Sequence, residues 1–112
     1  MKATDRYFVR GITCSLDGQV LEVANLSVGG LFAAMAKPPG PGRVVRLELA
    51  LDGRPPFEVT GTVTWINEPD KPKAADLPEG FGLKITRIAL PHKLAILDLL
   101  KRHRPVLRIS KG

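Results

Sequence analysis

Cysteine, histidine, aromatic residues and long apolar runs are all scarce in this chain. Of 112 residues one is cysteine and two are histidine. A lone thiol, Cys14, closes no disulfide within the chain and has no second sulfur for a thiolate metal site, which fits a reducing compartment. The expected location is therefore cytoplasmic. No apolar run approaches the ~18 to 20 residues that span a bilayer, and the first ten residues carry basic groups with no apolar block behind them, so neither insertion in a membrane nor a leader is expected. Aromatics are only 5% of the residues, and no face alternates basic with aromatic side chains. That argues against the stacking platforms of single-stranded nucleic-acid binders. Catalytic sets are missing as well. His92 and His103 stand eleven residues apart on one predicted helix, ~16 Å at 1.5 Å per residue, too far to share a metal or a proton. There is no H-E-x-x-H, no glycine-flanked serine elbow and no phosphate loop ending in Gly-Lys-Ser/Thr. An enzyme, a bound metal and a resident cofactor are not expected.

What the chain does have is an uneven surplus of positive charge. Lysine and arginine number 17 against 11 acidic residues. Five of the basic residues, Lys101, Arg102, Arg104, Arg108 and Lys111, lie in the last twelve positions with no acidic neighbour, and the remainder is almost neutral. A nucleic-acid partner is therefore disfavoured. The excess reads as a solvated basic tail over 105–112, after a single domain over 1–104.

Ten prolines and eleven glycines separate short apolar stretches at intervals of about ten residues, the punctuation of an all-β sandwich or barrel. Apolar residues fall at every second place in Val45–Leu51, Phe57–Trp65 and Phe81–Ile85, as they do in strands with one buried face. Earlier, Phe8–Leu16 and Gln19–Ala24 read as a hairpin about Asp17-Gly18, and Leu31–Ala34 as a short further strand. Between the last two lies Asn25–Gly30, expected as a turn in which Gly29 and Gly30 permit positive φ and the polar side chains point outward. The period changes near the end. Pro91 suits a first helical position, Leu94 and Leu97 are the expected core face, and Pro105 stops the helix. Trp65 reads as a core or half-buried strand residue, and Cys14 as a small buried one.

The informative spacing lies in the first thirty residues. Arg6 and Arg10 place two guanidiniums four residues apart at the entry to the first strand, and arginine suits bidentate recognition of phosphate and of a guanine edge. Fifteen residues beyond Arg10, Asn25-x-Ser27-x-x-Gly30 offers an amide, a hydroxyl and a bare backbone amide. Those are the uncharged donors and acceptors that a purine edge needs.

Together the two motifs resemble the paired signature of the PilZ domain, R-x-x-x-R followed by D/N-x-S-x-x-G. Gly61–Ile66 is similar to that family's long central strand, Gly80–Thr86 to its late strand and Leu90–Arg102 to its closing helix, so the resemblance covers almost the whole chain. It implies a small six-stranded antiparallel β-barrel with a C-terminal α-helix that binds the bacterial second messenger cyclic di-GMP without chemical change. Carried over, Arg6 and Arg10 would hold phosphates and guanine, and Asn25, Ser27 and Gly30 would meet a guanine from the turn. Asp5, where a basic residue accompanies binding of a stacked ligand dimer, implies one ligand molecule per domain. The expected receptor would signal by ordering its N-terminal loop and altering its contacts with a protein effector; the alternative is a ligand-independent interaction module in pilus or motility assembly.

Overall fold

A computed structural model describes residues 7–101. The strands are β1 (Tyr7–Phe8), β2 (Thr13–Leu16), β3 (Gln19–Ser27), β4 (Gly30–Ala34), β5 (Val44–Ala50), β6 (Phe57–Asn67) and β7 (Gly80–Arg87), followed by one helix, α1 (Leu90–Lys101). All pairings are antiparallel. They run β2, β3, β4, β7, β6, β5 and back to β2, which closes a six-stranded barrel. Closure leaves no long unpaired edge in a chain this small.

The interior is built by the alternation visible in the sequence. Val45, Leu47 and Leu49 of β5 and Phe57, Val59 and Val63 of β6 point inward and are buried, while Arg46, Glu48 and Glu58 between them are exposed. Burying such side chains contributes roughly 1.5 to 3 kcal/mol each relative to exposure. Cys14 joins this core as expected. Loss of water around it pushes its thiol up to about 12 from 9.0, because burial disfavours the thiolate.

Three departures from simple alternation decide what faces outward. First, the expected single strand Phe8–Leu16 is two pieces. Phe8 pairs with Asn25 and Thr13 with Glu22; five steps on one strand face three on the other, so two extra residues loop out. The break is at Gly11, whose φ of 77° is left-handed, and it leaves Arg10 exposed beside the strand rather than on it. Second, β3 bulges between Val23 and Asn25. Leu26 then faces the core, and Asn25 and Ser27 lie on the other face of the sheet. Third, β6 bulges between Val63 and Trp65. Unbroken alternation would send Trp65 inward. The bulge instead lays it over Gly82 on the outer face, half-buried, with its ring 5.2 Å from that of Phe32. Thr64, the extra residue, donates its hydroxyl to the Gly82 carbonyl.

The helix corrects one expectation. Ala95, Ile96, Leu99 and Leu100 are its buried residues, not Leu94 and Leu97, which are exposed. Its first turn is fixed by His92, whose ring stacks on Phe57 at 4.3 Å, and a later turn by an ion pair from Arg54 to Asp98 at 3.6 Å. One anchor, Arg54, comes from the β5–β6 connection and the other, Phe57, from the start of β6. The four-residue face packs over the barrel.

Candidate functional site

The β3–β4 hairpin carries three of the five residues singled out in the sequence. Its two-residue turn is Val28-Gly29, shorter than expected, so Asn25 and Ser27 are strand residues and Gly30 opens the next strand. Ser27 pairs with Gly30 and Asn25 with Phe32. Asn25, Ser27, Gly30 and Phe32 are therefore neighbours on the outer wall, and Gly82 and Trp65 continue the row across β7 and β6.

The polar groups of this wall are buried, contrary to the outward-pointing expectation. Asn25 is 5% and Ser27 6% exposed. Ser27 donates its hydroxyl to the Gly30 carbonyl at 3.2 Å, which braces the hairpin. Asn25 differs: its Oδ1 is buried and has no hydrogen-bond partner. Leaving such a group unsatisfied costs about 1 to 3 kcal/mol. A native chain keeps such a group for a reason, and a donor arriving from outside is one.

Gly30 is required for a different reason from the one its sequence suggests. Neither it nor Gly29 has positive φ. A Cβ at position 30 would stand 2.5 Å from the Leu83 carbonyl oxygen, so only glycine lets β4 approach β7 here. The Gly29 carbonyl, in turn, accepts the Ile85 amide at 2.8 Å. The turn is thus held by β7 on one side and by the Ser27 hydroxyl from within.

The segment that carries Arg10 lies along the other flank of β3. Val9 donates its amide to Ala24 at 3.3 Å, and Ile12 accepts the amide of Val23 at 2.9 Å. The looped-out residues between them put the exposed Arg10 next to the β3 bulge at Ala24. No ion pair among the described residues engages it. Arg6 lies outside the described residues. Lys84, to which the sequence reading gave no role, is exposed and pairs in register with Gly30. Only the pairing of β4 with β7 brings it there, and no motif announces it.

These features have relatives. A family model for the PilZ domain matches residues 6–102. The chain belongs to the PilZ domain family. Among solved structures it is similar to the Bacillus subtilis inhibitor of motility MotI/DgrA, with a TM-score of 0.70 at 19% identity over 90% of this chain and 49% of that one. Escherichia coli YcgR, solved in complex with c-di-GMP, matches with a TM-score of 0.66 at 13% identity over 89% of this chain and 44% of that one. An uncharacterized Legionella protein matches with a TM-score of 0.58 at 20% identity over 87% and 90%. The chain spans about half the length of MotI/DgrA and YcgR. No curated protein matches it.

Proposed function

We propose that this chain is a receptor for cyclic di-GMP, which it binds without chemical change. The observation that carries the reading is the buried, unpartnered Asn25 Oδ1 within Asn25-x-Ser27-x-x-Gly30. An acceptor in that state suits the amino and imino donors of a guanine edge. The same two motifs, family membership and a fold shared with a protein solved with c-di-GMP all support it. In this reading Asn25, Ser27 and the Gly30 backbone meet the base. Arg6 and Arg10 hold the phosphates and guanine, and Lys84 adds a cation beside the turn. Ligand capture orders the segment that carries the arginines, and the changed surface is read by a protein effector.

Charge-assisted hydrogen bonds contribute roughly 1.5 to 3 kcal/mol each, while micromolar affinity needs only about 8 kcal/mol net. Losing one arginine is therefore decisive. Isothermal titration of the whole chain with cyclic di-GMP is expected to saturate, and Arg6→Ala and Arg10→Ala are each expected to weaken binding at least about tenfold with unchanged circular dichroism. Undiminished affinity in both variants rules out the arginine clamp. Absence of saturable binding to the parent chain leaves the ligand-independent interaction module as the better account.

A further inference from the structure

Helix α1 has apolar residues on two opposite sides, and the barrel accounts for only one of them. At about 100° per residue, the buried Ala95, Ile96, Leu99 and Leu100 form one face. Leu90, Leu94 and Leu97 fall within an arc of about 60° on roughly the opposite side. They are 64%, 53% and 37% exposed. A single exposed leucine is ordinary; three in line along consecutive turns are not.

This stripe does not stand alone. At its N-terminal end a groove runs between α1, the end of β7 and the β3–β4 turn, with Val28, Ile85, Ile88 and Leu90 among its apolar lining. Arg87 and Lys93 line the same groove, which has no carboxylate in its wall. Neither cation is in an ion pair among the described residues. At the other end Lys101 continues the line of the leucines. Asp98 flanks the stripe but is paired with Arg54.

We infer that the Leu90/Leu94/Leu97 stripe and its adjoining cationic groove form a docking face for an acidic amphipathic segment of a partner protein. Leucine-type side chains of that segment lie along the stripe, and its carboxylates meet Arg87, Lys93 and Lys101. Charge selects this occupant over the others. A second copy of the chain would bring the same cations face to face. The chain's own residues 102–112 hold four lysines and arginines and no acidic residue, so they too would be repelled. The groove touches the Val28-Gly29 turn of the proposed nucleotide site, but the leucine stripe and its cations are not residues of that site, and docking does not depend on that reading.

The test is selection of displayed random peptides on the whole chain, with Leu94→Glu, an exposed change expected to leave the fold intact, as counter-selection. Enriched peptides are expected to be acidic with leucine-type residues at helical spacing. A synthetic copy of the most enriched peptide should bind in fluorescence anisotropy about tenfold more weakly to Lys93→Glu and to Arg87→Glu, and more weakly at raised salt. Circular dichroism and the thermal midpoint of the same variants report whether they remain folded, which leaves the nucleotide reading to its own experiment. Selection of basic peptides, or of none sensitive to Leu94→Glu, overturns the inference. So does concentration-dependent dimerisation that Leu97→Glu abolishes, which makes a second copy the occupant. Peptide binding that emerges only after deletion of residues 102–112 overturns it too, because the tail then covers the face.

Discussion

Two asparagines are buried in this chain and are in opposite chemical states. Asn67, at the end of β6, is 1% exposed and fully engaged. Its Nδ2 donates to the carbonyls of Ala74, Leu77 and Pro78 at 3.0 Å each, and its Oδ1 accepts the amides of Lys73 at 2.8 Å and Ala74 at 3.0 Å. One side chain thus replaces the secondary structure that the 68–79 connection lacks. Asn25, at the outer wall, is buried almost as deeply, yet its Oδ1 has no partner. The same residue type serves as an internal brace in one place and as an open acceptor in the other. Burial does not separate these two asparagines; their hydrogen-bond ledgers do.

The contrast is sharpest for Asn67→Ala. It leaves several buried backbone groups unsatisfied at once, and it is expected to cost about 3 kcal/mol, read as a fall of roughly 15 °C in thermal midpoint. Nucleotide affinity below the transition should change little. Gly30→Ala comes next. Its Cβ would press on backbone, not on a flexible side chain, so a loss of about 2 kcal/mol is expected, together with weaker binding, because the hairpin and the site shift as one.

Asn25→Ala is the test that can break the comparison. With no bond to lose at Oδ1, stability is expected to stay within about 0.5 kcal/mol or to rise, while cyclic di-GMP binding falls about tenfold. A stability loss as large as that of Asn67→Ala, in urea titrations run side by side, would mean that Asn25 too is a brace. The smallest effect concerns Cys14. Its folded pKa lies above the unfolded one, so the native state holds the proton more tightly. The associated stability is complete below about pH 9 and is lost as pH rises toward 12. Between pH 6 and 8 the unfolding midpoint should show no pH dependence from it, and a thiol reagent should label it only after denaturant is added.

Much of the barrel was legible because a strand buried on one face writes its period into the sequence. The β5 and β6 patterns needed no partner to be read. The bulges could not be read that way. In β3 the extra residue at Ala24 turns Asn25 and Ser27 to the outer wall, and in β6 the one at Thr64 does the same for Trp65. A two-residue period cannot say where it will be broken, since the break follows from the curvature that closing six strands imposes. The helix was misread for a related cause. Its seven apolar residues allow two faces, and the spacing reads toward Leu94 and Leu97; the barrel instead buries Ala95, Ile96, Leu99 and Leu100.

The sequence by itself determined the alternating strands, the hairpin at Asp17-Gly18, the closing helix and the order of the two polar motifs, because each rests on neighbours a few positions apart. Only the tertiary structure decided which side of each element meets water. It set Lys84 opposite Gly30, required glycine at position 30 through the approach of Leu83, and left one amide oxygen of Asn25 buried with nothing to bond. Those outcomes depend on strands far apart in the chain being pressed together, and no local pattern records such contacts.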